Sequence, residues 1–163
     1  MQNPIHLATW KALGANPTPM PFSELFTAMQ QKTVDGQENP IPTIYLSKYS
    51  EVQKFVTLTG HVYTPHILII GKKLWDSLPK EDQKVFQQAA YDARDHVRKV
   101  SKEMNDSQTA KLKEAGMTVT VLTPAQLKAF QDVVKPVYDE YTEKIGKSTV
   151  DSILAEVKKV SAK

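Results

Sequence analysis

Residues 80–116 read KEDQKVFQQAAYDARDHVRKVSKEMNDSQTAKLKEAG and dominate the architecture that this sequence predicts. Apolar residues recur at a helical period from Val85 to Leu112, and neither proline nor glycine interrupts them before Gly116. The pattern predicts a helix of roughly 35 residues, on the order of 50 Å long at 1.5 Å per residue. Its heptads are too poor for a coiled coil, so the pattern favours a helix that passes across two packed lobes.

A strand and two helices are predicted after this long helix. MTVTVLT, residues 117–123, is typical of a strand. Thr123, Pro124 and Gln126 form a helix start, and that helix is predicted to run to about Gly146. A last amphipathic helix is indicated by the spacing of its apolar residues, which are Val150, Ile153, Leu154 and Val157.

Two short helices and one strand are predicted before the long helix. Ser23 is a candidate cap for a helix that ends near Lys32. Ser47 is predicted to open a second helix, which extends to Val56. HVYTPHILII, residues 61–70, is the strongest strand candidate because it is rich in β-branched and aromatic residues.

The composition is that of a globular α/β protein. The 163 residues are 40% apolar and 24% charged, enough to build a core. Two or three strands separated by long helical stretches indicate an α/β architecture with a thin, incomplete sheet. Such a sheet is typical of a part of a larger α/β protein.

Charge and cysteine content narrow the function classes. The net charge is only +3, and the lysines alternate with acids, which favours solvated helix faces over a nucleic-acid surface. The absence of cysteine excludes disulfides and thiolate chemistry. No apolar run is long enough to span a membrane. The start, MQNPIHLATWK, has no secretion signal, so the sequence alone would place the chain in the cytoplasm.

Catalytic motifs are weak in this sequence. His61 and His66 are five residues apart on the predicted strand, so they would point to opposite faces and could not share a metal. Asp35 and Glu38 form a candidate pair for acid–base work, although caps and turns use such carboxylates more often. We expect no enzyme activity, no metal and no cofactor.

The turn DGQENP, residues 35–40, is the most informative polar segment. Gly36 permits unusual backbone geometry, and the amides of Gln37 and Asn39 donate hydrogen bonds. Two interpretations stay open: the amides stabilise the turn, or one of them is presented to a carboxylate or hydroxyl ligand. Phe22 is correspondingly either a core residue or an apolar wall of the same cleft.

Three segments resemble the DctP-type solute-binding proteins of TRAP transporters. They are GANPTPMPFSELFTAMQQKTVDGQENP (14–40), YSEVQKFVTLTGHVYTP (49–65) and LWDSLPKEDQ (74–83). The resemblance implies a periplasmic protein with two α/β lobes, hinge strands and a long helix that crosses both lobes. Such proteins close around an organic acid, for example a C4-dicarboxylate or sugar acid, and deliver it to a membrane permease.

The family is about twice as long as this chain, so the resemblance implies its C-terminal half. Residues 1–163 would form one partial α/β unit. Residues 1–60 and 117–163 would belong mainly to one lobe. Residues 61–116 would supply a hinge strand, a segment of the other lobe and the long connecting helix.

The resemblance also implies a set of ligand-binding residues. Asn39 would donate to the ligand carboxylate, while Phe22 would pack against the ligand and His66 would face it. Gln2 and Asn3 match polar positions that follow an arginine of the family, which would fall about two positions before Met1. The residues expected to support the turn are Asp35, Gly36, Gln37 and Glu38.

An alternative follows from the same alignment. Without that arginine and the first half, the chain would be a self-associating remnant that binds no ligand. Its partners would then be copies of itself, in a homo-oligomer, or a chain that carries the missing lobe.

Overall fold

A computed structural model describes residues 3–161, and these residues form two compact units. The first unit comprises residues 3–38 and 121–161 of the described chain, and the second comprises residues 39–120. The α-helices are α1 Pro4–Ala12, α2 Leu25–Gln30, α3 Ile41–Leu46, α4 Lys72–Ser77, α5 Lys80–Glu114, α6 Pro124–Val133, α7 Lys135–Ile145 and α8 Lys147–Ser161. Single turns of 3₁₀ helix lie at Phe22–Glu24 and Tyr49–Glu51, and the strands are β1 Phe55–Leu58 and β2 Thr118–Val121.

The first unit is a set of helices packed in pairs. Helix α7 contacts α1, α6 and α8. The Tyr141 hydroxyl of α7 donates to the Pro4 carbonyl of α1, with 3.4 Å between the oxygens. Met29 of α2 and Val137 of α7 are buried in this unit.

The second unit has its core where α3 packs on the C-terminal turns of α5. The buried apolar residues are Ile41, Ile44, Tyr49, Leu112 and Met117. Burial raises the pKa of the Tyr49 hydroxyl. Strands β1 and β2 pair in a two-stranded sheet beside this core, and the Thr118 amide donates to the Lys54 carbonyl over 2.8 Å.

The long helix, the strand after it and the start of the next helix confirm the sequence prediction. Helix α5 has 35 residues, and Gly116 follows it with a φ of 88°. Such a left-handed position favours glycine. Strand β2 lies within MTVTVLT, and Thr123 forms a complete capping box with Gln126. The chain therefore has the helix-rich α/β structure with a small, incomplete sheet that the sequence predicts.

The predicted helix from Ser47 to Val56 is wrong. The helix begins earlier, at Ile41, and Ser47 is its C-terminal cap. Lys48 then adopts a left-handed conformation with a φ of 55°, which ends the helical path. Phe55–Leu58 instead forms β1, because pairing with β2 outweighs the helical spacing of its apolar side chains.

The strand predicted for residues 61–70 is not formed. Residues 59–71 have neither helix nor strand. A strand exists only through ladder hydrogen bonds with a neighbour, and the described chain supplies no neighbour here. The sequence preference of residues 61–70 is that of a strand, but no strand among residues 3–161 pairs with them.

Two smaller differences concern helix boundaries. Pro21 lies at the N-terminal cap of the turn at Phe22–Glu24, where Ser23 was predicted to cap the helix. No side chain caps this turn with a hydrogen bond. The helix predicted from Thr123 to about Gly146 is divided at Val134, since Pro136 in the first turn of α7 cannot donate the hydrogen bond that would continue α6.

Charged side chains of the described helices pair mainly along the helix surface. Asp132 accepts from Lys128 and Lys135 over 2.6 and 2.7 Å, and these bonds lower the pKa of its carboxyl group to about 2. All three side chains are exposed, so this network contributes little to stability. Among residues 3–161, no helix is both long and apolar enough to cross a membrane.

Candidate functional site

The turn that carries the predicted site begins where α2 ends. Lys32 takes a left-handed conformation with a φ of 59°, and the Thr33 amide returns to the Ala28 carbonyl over 2.8 Å. Asp35 and Gly36 are then exposed, whereas Gln37, Glu38 and Asn39 are half-buried. Side-chain exposure thus decreases from Asp35 to Asn39.

Gly36 does not support the turn in the way predicted. Its φ lies outside the left-handed region, and an added Cβ would have no heavy atom within 4 Å. The polar side chains of DGQENP therefore remain the candidates for a specific role, and Gly36 does not.

Replacement of Gly36 by alanine is therefore expected to leave the protein folded. The free energy of unfolding should stay equal or rise by less than about 1 kcal/mol, because alanine restricts the unfolded chain. The matched variant is Gly116→Ala, where φ is 88° and a loss of about 1–2 kcal/mol is expected. Urea denaturation measures both. Equal losses in the two variants would contradict this assignment.

Asn39 lies at the best-supported position of the turn. It directly precedes Pro40, the N-terminal cap of α3, and Pro42 lies in the first turn of that helix. The two prolines restrict the backbone on the C-terminal side of Asn39. Ile41 and Ile44 are buried, so the helix that follows Asn39 is anchored in the core of the second unit.

Phe22 is not a core residue of the first unit. It opens the 3₁₀ turn after Pro21 and is 59% exposed. Of the two interpretations of Phe22, the structure excludes the buried one within this unit. The ring is an exposed apolar surface at the end of a proline-rich loop.

Asn3 caps α1. Its Oδ1 accepts from the amides of Ile5 and His6 over 2.9 and 3.4 Å. The sequence analysis overlooked this role, although asparagine followed by proline is a helix-start signal. Gln2, the neighbouring predicted ligand residue, lies outside the described residues.

His66 lies in the exposed irregular segment and is itself exposed. Since the segment is not a strand here, the prediction that His61 and His66 face opposite sides does not apply. His61 shares a 2.6 Å hydrogen bond between its Nδ1 and the Thr59 Oγ1.

The predicted ligand residues are distributed over the two compact units. Phe22 and Asn3 belong to the first, and Asn39 and His66 belong to the second. The amide side chains can donate hydrogen bonds, and the Phe22 ring offers an exposed apolar surface. Within residues 3–161, no group of three or more acidic or histidine side chains is placed to hold a metal ion.

Comparison with known proteins gives one consistent result. The family described as bacterial extracellular solute-binding protein, family 7 (DctP) matches residues 1–144. The 2,3-diketo-L-gulonate-binding periplasmic protein YiaO of Escherichia coli is 39% identical over 132 residues, which are 81% of this chain and 40% of that protein.

Solved structures show the same similarity in three dimensions. A TRAP periplasmic solute-binding protein from Ochrobactrum anthropi is 48% identical with a TM-score of 0.91, over 99% of this chain and 51% of that one. The sugar-acid-binding protein DctPAm from Advenella mimigardefordensis, solved with galactonate, is 43% identical with a TM-score of 0.89, over 98% and 51%. The chain spans about half the length of these relatives.

Proposed function

Because the chain belongs to the DctP family of bacterial extracellular solute-binding proteins, we propose that it supplies the C-terminal part of a binding site for a small organic acid anion. This family binds solutes for transport and does not consist of enzymes. The relatives from Escherichia coli and Ochrobactrum anthropi are periplasmic. We propose the same location for the mature protein, and delivery of the acid to a TRAP membrane permease.

The observation that supports this function most is the position of Asn39. The backbone of Asn39 is held between a turn and a core-anchored helix, and a neutral amide at such a restricted position suits recognition of a carboxylate. In our proposal, Asn39 binds one carboxylate oxygen, Phe22 packs against the carbon chain and His66 faces the rest of the solute. Asn3, whose oxygen caps α1, retains its amide hydrogens as donors, and Gln2 is the fifth proposed ligand residue.

Asp35, Glu38 and Gln37 have a supporting role in this proposal. They shape the turn that orients Asn39. We do not assign Asp35 and Glu38 an acid–base role, because the family binds its solutes without chemistry. A sugar acid is the preferred solute class, since a similar solved protein holds galactonate and a similar curated protein binds 2,3-diketo-L-gulonate.

The proposal is tested by completing the family fold in one chain. The first half of the galactonate-binding Advenella protein, which this chain does not span, is joined ahead of Met1. We expect galactonate to raise the melting midpoint of this fusion by several degrees, since ligand at 100 times its Kd adds about 2.7 kcal/mol. Succinate is the C4-dicarboxylate comparison.

Two outcomes bear on the proposal. A midpoint raised by galactonate or succinate supports organic acid binding and indicates which class is preferred. A fusion that melts cooperatively but that neither acid shifts would contradict the proposal. The self-association alternative has no support in the relatives described here and stays a prediction.

A further inference from the structure

The turn before Asn39 contains the one aspartate–glycine pair of the sequence, Asp35–Gly36. Such a pair is chemically reactive, because a backbone amide nitrogen can attack the side-chain carboxyl group of the aspartate that precedes it. Any other residue after the aspartate adds a Cβ that hinders this attack, whereas glycine does not. Both residues are exposed, and the space around Gly36 is open, with no heavy atom within 4 Å of an added Cβ.

Neither reacting group of this pair is held in place by residues 3–161. Within that range the Gly36 amide donates no hydrogen bond, and the Asp35 carboxylate forms neither a hydrogen bond nor an ion pair. The pair also lies outside helix and strand. The amide nitrogen can therefore approach the carboxyl carbon without first breaking a bond of the folded state.

The chain on both sides of the pair is anchored. On one side, the Thr33 amide donates to the Ala28 carbonyl over 2.8 Å. On the other side, Gln37, Glu38 and Asn39 each interact with another residue. A change in the backbone length of the pair must therefore be accommodated within the turn itself.

We infer that Asp35–Gly36 is a site of spontaneous imide formation and conversion to isoaspartate. The Gly36 nitrogen attacks the Asp35 Cγ, a new C–N bond closes a succinimide ring, and the carboxyl hydroxyl leaves as water with the amide proton. Water then adds to one of the two ring carbonyls and opens the ring. Addition at Cγ restores aspartate, whereas addition at the main-chain carbon leaves a backbone that runs through Cβ and Cγ and is one carbon longer.

The longer backbone has a consequence for Asn39, and this consequence rests on the proposed function. Asn39 follows the converted residue by four positions in the same turn. The added carbon displaces its amide from the carboxylate of the solute, so the number of competent binding sites falls as the protein ages.

An aspartate–serine pair in α8 provides the contrast within the same chain. Asp151 is also exposed, but its Oδ2 accepts from the Lys147 Nζ over 2.9 Å. The Ser152 amide lies inside α8, where it bonds to the preceding turn. Imide formation at Asp151 therefore requires local opening of the helix, which costs free energy.

The site is tested by incubating the folded 163-residue chain at neutral pH in water enriched in the heavy oxygen isotope. The chain is then digested in ordinary water and mapped by mass spectrometry, since each passage through the imide leaves one solvent oxygen in the peptide. Isoaspartate is recognised by its resistance to a protease that cleaves before aspartate. Free peptides that span each pair give the rates without a fold.

We expect label at Asp35 to accumulate less than about tenfold more slowly in the folded chain than in its free peptide, because no bond has to open. Label at Asp151 should accumulate more than about tenfold more slowly than in its own peptide. Gly36→Ala, which should leave the protein folded, should reduce conversion at Asp35 at least about tenfold. A folded chain that suppresses conversion at Asp35 as strongly as at Asp151, or conversion that is insensitive to Gly36→Ala, would overturn the inference.

The consequence for binding is measured on the fusion with the Advenella half, aged in the same way. We expect the fraction of sites lost, counted by titration with galactonate, to equal the fraction of isoaspartate, and the same treatment should cost the Gly36→Ala fusion none of its sites. A fusion that gains no isoaspartate, or gains it and keeps every site, overturns this consequence. A fresh fusion that binds no organic acid refutes the proposed function and leaves the modification site intact.

Discussion

Replacement of Asn39 by aspartate is expected to weaken organic acid binding by at least about 100-fold in the fusion with the Advenella half. At neutral pH the new carboxylate would face the carboxylate of the solute, and like charges in a desolvated site cost several kcal/mol. Isothermal titration with galactonate measures this loss. Asn39→Ala, which removes only the donor, should cost about 10-fold, in line with a hydrogen bond to a charged group.

The matched control for these variants is Asn105. It is exposed on α5, distant in sequence from every proposed ligand residue, and its replacement by aspartate should leave the dissociation constant unchanged. If Asn39→Asp binds galactonate as tightly as the parent fusion, Asn39 does not contact the carboxylate.

Replacement of Leu112 by alanine should cause the largest loss of stability in this chain. Leu112 is 0% exposed in the core where α3 packs on α5, so its truncation leaves a cavity. Such substitutions cost about 2–5 kcal/mol, which is a large share of the stability of an ordinary domain. Urea denaturation of the 163-residue chain, with the midpoint and slope fitted together, measures the change.

Leu154→Ala is the matched leucine variant, because Leu154 is 47% exposed on α8. Its free energy of unfolding should differ from that of the parent by about 0.5 kcal/mol or less. A loss below about 1 kcal/mol in Leu112→Ala would show that α3 and α5 do not form the core of the second unit.

The parts of the fold that local chemistry determines were predictable from the sequence. The long helix follows from its apolar period and from the absence of proline and glycine before Gly116. The start of α6 follows from Thr123 and Gln126, whose side chains satisfy each other's backbone amides. In each case the deciding residues lie within one or two helical turns.

The errors come from interactions between distant residues. Phe55–Leu58 has helical spacing with the residues before it, yet it pairs with β2 more than 60 residues later. Residues 61–70 have a strand sequence, but no strand among residues 3–161 pairs with them. No local pattern reveals whether such a partner is present.

The candidate site was predictable only in part for a similar reason. DGQENP marked a polar turn, and the resemblance singled out Asn39 within it. Periodicity alone could not distinguish an exposed Phe22 from a buried one, because the same helical spacing of apolar residues occurs in both cases. The capping role of Asn3 was predictable from Asn3–Pro4, and it uses the side-chain oxygen, whereas the ligand role that the resemblance implies would use the amide hydrogens.

The most direct test of the account is a crystal structure of the fusion with galactonate bound. The account predicts a distance of about 2.7–3.2 Å between the Asn39 Nδ2 and a carboxylate oxygen of the solute, with the Phe22 ring against the solute carbon chain. A bound acid whose carboxylate lies more than about 4 Å from Asn39, beyond hydrogen-bonding distance, would contradict it.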